Sequence, residues 1–311
     1  MALDEATAAL VADMAASGAP ALHELEPAEA RGLMADMKQM FGAGPQMLRA
    51  ERREVCAAGR EIPVHVLVPN ENPRAVIVYL HGGGWVVGRI DEFETLGREL
   101  ARATGCAVVL VDYRLAPEHP FPAALEDAWE ATTWVAANLD GIAGADVPLI
   151  LAGDSAGGNL AAVVCQRARR SGPAIAMQVL LYPVTDCDFD TPSYTSPENQ
   201  LEPTRADMQW FFDHYAPPEI RRDPEVSPLR AEDLSGLPPT VVVTAGHDVL
   251  RDEGTAYARA LQDAGVPVSH REFLDQMHGF FTMVNVLPGS VQAMDFVAEE
   301  IERHVFTQLP G

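Results

Sequence analysis

Between residues 62 and 305 the chain alternates short, continuously apolar runs with longer stretches whose apolar residues recur at helical spacing. The runs are "IPVHVLV", "AVIVYL", "CAVVLV", "PLILA", "MQVLL", "TVVVTA" and "VPVSHREF". Each is rich in β-branched residues and bounded by Gly, Pro or Asn, and each predicts a strand. Several are apolar throughout rather than alternating, which is the pattern of strands covered on both faces. The intervening stretches predict helices over about 93–104, 122–138, 156–170, 252–264 and 290–305. This alternation predicts an α/β fold with a mostly parallel central sheet covered by helices on both faces, antiparallel pairing being admitted at its N-terminal edge.

Two regions stand outside the alternation. Residues 3–16 and 27–41 read as helices; in the second, Leu33, Met34, Met37 and Met40 recur at helical spacing, Pro27 opens the first turn and "GAGP" closes it. Residues 186–218 form a connection too long to be ordinary, with an aromatic amphipathic helix predicted over about 204–215. The chain therefore reads as one domain, 1–311, in which about 1–45 and 186–218 form a helical cap. Trp210, Phe211, Phe212 and Tyr215 read first as cap core, with one or two of them available to line a pocket.

Charge and cysteines remove some function classes. Asp and Glu number 45 against 22 Lys and Arg, a net charge of −23, which repels phosphate backbones and anionic headgroups and argues against a nucleic-acid partner. Cys56, Cys106, Cys165 and Cys187 form no C-x-x-C pair and no metal-like cluster, so reduced thiols and no metal are expected. The acidic start "MALDEATAAL" lacks the basic region of a signal peptide. No apolar run approaches the ~18 residues of a membrane span. The expectation is a soluble, cytoplasmic protein without integral membrane association.

One turn carries chemistry. In "LILAGDSAGGN" a predicted strand ends and a helix begins around Gly153-Asp154-Ser155-Ala156-Gly157, a G-x-S-x-G in strand-turn-helix context. So tight a turn strains Ser155 and needs neighbours without side chains, which Gly153 and Gly157 provide. The helix that follows aims its positive end at any anion formed there. The pattern alone is weak, and a serine hydroxyl needs a base that is itself held by an acid. His278, in "LDQMHGFF", lies on a loop after the last predicted strand. His65 and His270 fall within strands, His304 in a helix, His119 in a Pro-rich turn, and His247 beside a better-placed acid. That acid is Asp248, in "TVVVTAGHDVLRDEG"; Asp252 and Glu253 read as first-turn helix acids, and Asp275 is the rival. The chain order Ser155, Asp248, His278 is that of an α/β-hydrolase.

A tetrahedral intermediate also needs donors for its oxyanion. "YLHGGGWVVG" follows a predicted strand, and the N–H groups of Gly82, Gly83 and Ala156 are the candidates. A phosphate cradle is the alternative reading of three glycines, but no lysine follows. His81 reads as a group that fixes this loop. Trp85, Tyr182, Phe211, Phe212 and Phe281 are candidate pocket residues that could equally be packing.

Taken together, "HGGGW" (81–85), "DYRLAPEHPFPAA" (112–124), "GDSAGGN" (153–159), "HDVLRDEG" (247–254) and "MHGF" (277–280) resemble the bacterial hormone-sensitive-lipase-like carboxylesterases, in the subgroup with Asp before the serine. The resemblance spans about 75–281 and departs at Val249, where the family usually has proline. It implies an α/β-hydrolase fold with a cap, and a serine hydrolase acting on small esters of short to medium acyl chains. It implies no cofactor, and a homodimer through the sheet edge, as is frequent in the family. It places the nucleophile on Ser155, the acid on Asp248, the base on His278 and the oxyanion donors on Gly82, Gly83 and Ala156. The triad itself does not choose between ester and amide. A hormone-binding receptor on this fold is a third reading, disfavoured because all three triad residues are present.

Overall fold

Among the residues described by the computed structural model, 2–57 and 59–307 with the side chains of Met34, Asp36 and Met37 aside, eight strands form one sheet. They are β1 (Arg49–Ala57), β2 (Arg60–Val68), β3 (Val76–Leu80), β4 (Ala107–Val111), β5 (Leu149–Asp154), β6 (Met177–Leu181), β7 (Thr240–His247) and β8 (Val268–Met277). Their spatial order is β1-β2-β4-β3-β5-β6-β7-β8. β1 and β2 run antiparallel at one edge, and the rest are parallel.

The continuously apolar strands are covered on both faces. Along β3, Val76, Val78 and Leu80 join one core and Ile77 and Tyr79 the other, the period-two split that strand geometry imposes. The first core is closed by α4 (Ala123–Ala137), α5 (Leu139–Ala143), α6 (Ala156–Ser171) and α9 (Arg251–Asp263), the second by α3 (Glu94–Thr104) and α10 (Pro288–Ile301). Leu80 pairs with Gly153, and Gly153 with Leu180. The loops leaving β3, β5 and β6 therefore emerge side by side at the carboxyl edge.

β1 has no counterpart among the strands read from the sequence. Its segment "RAERREVCA" is mostly charged, and only Val55 in it is buried. An edge strand needs little apolar surface, and charges there blunt pairing with other chains.

Two helical groups meet above the carboxyl edge. One contains α1 (Glu5–Ser17) and α2 (Pro27–Phe41), the other α7 (Pro192–Thr195) and α8 (Arg205–Tyr215). Thr204 and Asp207 cap α8 reciprocally. Asp207 also ties the groups together, its Oδ1 lying 3.0 Å from the backbone N and 2.7 Å from Nδ1 of His23, which sits between α1 and α2. From α2, Arg31 donates to the carbonyls of Val86 and Ala116, both at 2.8 Å, and pairs with Glu118. The apolar stripe expected of α2 is only partly a packing face. Leu33 and Met40 are 37% and 46% exposed, and the side chains of Met34 and Met37 lie outside the described residues. No helix among the described residues is long and apolar enough to cross a membrane.

Candidate active site

Ser155 occupies the corner between β5 and α6 with φ 54° and ψ −119°, a region L-residues avoid. The turn is held by Ser155 N donating to the Leu181 carbonyl at 2.9 Å and Val184 N donating to the Ser155 carbonyl at 3.2 Å. Its glycines serve close approach. A Cβ on Gly157 would lie 1.9 Å from the Leu80 carbonyl oxygen, and one on Gly153 would lie 2.4 Å from the Gly157 backbone. Any side chain at either position would push the corner away from β3.

Asp248 leaves the end of β7 and His278 the end of β8, and His278 Nδ1 lies 2.7 Å from Asp248 Oδ2. The second oxygen, Oδ1, accepts the Leu250 backbone N–H at 2.8 Å. Asp248 is thus buried with both oxygens engaged, while the His278 ring packs on Tyr182 at 4.6 Å. The rival Asp275 is directed elsewhere: its carbonyl accepts Asp4 N and its carboxylate meets Gln276. Ser155 and His278 line the same cavity, and no hydrogen bond joins them among the described residues.

The glycine loop after β3 is fixed by Asp154, which the sequence leaves without a role, and by His81. Asp154 Oδ1 accepts Tyr79 Oη at 2.8 Å and Gly82 N at 2.9 Å. His81 stacks on Tyr113 at 4.2 Å, its Nδ1 lies 2.7 Å from the Gly82 carbonyl, and Tyr113 Oη donates to the His81 carbonyl. The reading of His81 as a loop-fixing group fits this placement, and burial lowers its pKa. The expectation for Gly82 does not hold, because its N–H is already bound to Asp154 and the cavity wall is made by Gly83 and Gly84. Gly83 and Gly84 have φ of 111° and 56°. The N–H groups of Gly83, Gly84 and Ala156 have no hydrogen-bond partner among the described residues.

Burial raises the pKa of the Asp154 carboxyl from 3.8 to about 6, against the opposing effects of Tyr79, His278 and Gly82. A raised native pKa adds stability that is complete below the unfolded pKa and is lost as pH climbs through the native one. Asp154→Asn is therefore expected to unfold at the same temperature as wild type at about pH 3, below the unfolded pKa. Above pH 6 it should be the more stable by about 3 kcal/mol. Thermal unfolding at the two pH values checks this, and an equal offset at both would contradict it.

The cavity has a volume of about 140 Å³ and is bounded by Met14, Leu22, Phe41, Met208 and Phe211 from the helical groups, by Val87, Phe93 and Leu96 on the α3 side, and by Met277 and Met283 around His278. Among the described residues no cluster of His, Cys, Asp and Glu is arranged to hold a metal ion.

The comparisons with known proteins bear on the family and the fold. Residues 77–282 match the family described as alpha/beta hydrolase fold. Carboxylesterase NlhH of Mycobacterium tuberculosis is 40% identical over 254 residues, 79% of this chain and 80% of that protein. Esterase LipI of the same organism is 42% identical over 234 residues, 72% of this chain and 71% of its own. The chain belongs to the hormone-sensitive-lipase-like carboxylesterases. Solved esterases agree in fold: a thermostable esterase from Pseudomonas putida superposes with a TM-score of 0.91 at 34% identity, covering 99% of both chains. A hyperthermophilic esterase from Pyrobaculum calidifontis gives 0.88 at 36%, covering 97% of this chain and 99% of its own.

In this carboxylesterase only one of the five predicted pocket aromatics lines the cavity, namely Phe211. Trp85 is fully buried, stacked on Tyr215 at 4.1 Å and edge-on to Phe212, so both Trp85 and Phe212 hold α8 to the body. Phe281 is buried in the core beneath α10, and Tyr182 supports the His278 ring rather than the cavity. Met14 and Phe41 are lining residues that the sequence reading missed, and helical spacing at the N-terminus was their only signal.

Proposed function

We propose that this carboxylesterase hydrolyses esters of short to medium acyl chains through an acyl-enzyme on Ser155. The observation that carries the reading is the 2.7 Å contact of His278 with buried Asp248 in a cavity that Ser155 also lines. Nδ1–H donates to Asp248, which leaves Nε2 free to take the Ser155 proton as Oγ attacks the ester carbonyl. The hydrogen bond between Nε2 and the Ser155 hydroxyl forms on substrate binding. The carbonyl oxygen becomes an oxyanion that accepts from the N–H groups of Gly83, Gly84 and Ala156, three donors with no other partner among the described residues. The imidazolium then gives its proton to the departing alcohol, and water repeats the sequence on the acyl-enzyme.

The helical groups 1–45 and 186–218 act as the cap that sets chain length, since Met14, Leu22, Phe41, Met208 and Phe211 supply the far wall. One relative, from Pseudomonas putida, is named ethyl acetate hydrolase, which supports small acyl and alcohol parts. A homodimer through the sheet edge would use β8, whose Leu274 is exposed. The test is a series of p-nitrophenyl esters of increasing acyl length. Each added CH₂ that enters the apolar cavity is expected to raise kcat/KM about fourfold, with a maximum between butanoyl and octanoyl. A rate that still climbs at hexadecanoyl, or equal rates on a matched anilide, would overturn the reading.

A further inference from the structure

The charge of the cavity wall has one sign. Among its described lining residues Glu92, Asp154 and Glu202 are acids, and none is Lys or Arg. Two of the three acids accept hydrogen bonds from the protein. Asp154 binds Tyr79 and Gly82, and Glu92 accepts the Arg89 N–H at 3.3 Å. Glu202 differs. Among the described residues its carboxylate has neither a hydrogen-bond nor an ion-pair partner, although its neighbours on that wall, Pro203, Met208 and Phe211, are apolar. Glu202 is exposed, so its carboxylate meets water rather than a protein donor and is open to a cation entering the cavity it lines. Desolvation and the nearby Asp207 carboxylate raise its pKa, while the His278 ring opposes them. Glu202 lines the same cavity as His278, the residue that protonates the leaving alcohol.

We infer that Glu202 determines charge specificity for the alcohol part of the substrate: esters of ammonium-bearing alcohols are favoured over neutral ones, and esters of carboxylate-bearing alcohols are rejected. The inference rests on the esterase reading of the site and deepens it. An ammonium group entering the mouth of the cavity pairs with the Glu202 carboxylate, and a carboxylate there meets three acids and, among the described lining residues, no Lys or Arg. The net charge of −23 adds a bias of the same sign at long range. Salt separates the two effects, because exposed charges are screened beyond about 10 Å at 0.1 M ionic strength.

Three butyrate esters of matched shape test it in a pH-stat at low and high salt. They are the choline ester, its neutral isostere with carbon in place of the ammonium nitrogen, and the ester of a hydroxy acid of similar length. In wild type kcat/KM is expected to fall in that order by about tenfold per step, with the order kept at high salt. Glu202→Gln is expected to bring the choline-to-neutral ratio near unity, and Glu202→Lys to invert it. Ratios unchanged in both variants would overturn the inference while leaving the esterase reading intact. A wild-type ratio that vanishes at high salt would also overturn it, assigning the bias to overall charge. Failure to hydrolyse any of the three esters, with Ser155 intact, would overturn both.

Discussion

Replacing Ser155 with Ala is expected to lower kcat on a short-chain aryl ester by about 10⁴- to 10⁶-fold, because the acyl-enzyme route disappears and only binding and oxyanion stabilisation are left. The variant should fold normally. The hydroxyl has no hydrogen-bond partner among the described residues, so its loss leaves no buried group unsatisfied. The backbone strain at φ 54° is fixed by the contacts of Leu181, Val184, Gly153 and Gly157 rather than by the side chain. The cavity should still bind ester, so KM is expected to change far less than kcat. A serine-directed phosphonate separates a missing nucleophile from a damaged site: wild type should take up one equivalent on Ser155, and the variant none. Activity within tenfold of wild type, or an adduct on another residue, would remove Ser155 from the mechanism.

The parts of this site that could be read from sequence are those fixed by strand ends. β5 and β7 are short apolar runs with turn residues behind them, and β8, though mostly polar, is bounded by Gly and Pro before it and by His-Gly after it, so the sequence places the loops carrying Ser155, Asp248 and His278 at one sheet edge. What could not be read depends on direction rather than position. Gly82 and Gly84 are equivalent as letters, and only the path of the loop decides that the first N–H meets Asp154 while the third glycine lines the cavity. Phe211 and Phe212 are adjacent on α8, where successive residues diverge by about 100° of helical rotation; one faces the cavity and the other packs on Trp85. An apolar cavity and an apolar core ask for the same residue types, so composition cannot separate them. Asp154 stood beside the most conspicuous residue in the chain without an account. Its role depends on Tyr79 lying 75 positions away in sequence, on a neighbouring strand. β1 was missed because an edge strand that buries one residue in nine leaves almost no apolar pattern.

Asp248→Asn is the substitution of least volume with a second large expected effect, and the two oxygens of Asp248 say why. Oδ1 accepts the Leu250 N–H at 2.8 Å and Oδ2 faces His278 Nδ1 at 2.7 Å. An asparagine has one acceptor oxygen, and leaving the buried Leu250 N–H without a partner is costly. The amide therefore turns its oxygen to Leu250 and its NH₂ to His278. Nδ1 must then accept, which moves the imidazole proton to Nε2, the nitrogen that has to receive the proton of Ser155. The carboxylate that would steady the imidazolium is lost in the same change. The expected result is a fall in kcat of about 10⁴-fold, with phosphonate labelling of Ser155 slowed in proportion and the thermal midpoint near that of wild type. Loss of less than tenfold with the fold intact would mean that His278 takes its orientation from the Tyr182 ring and the turn at Gly279 rather than from Asp248.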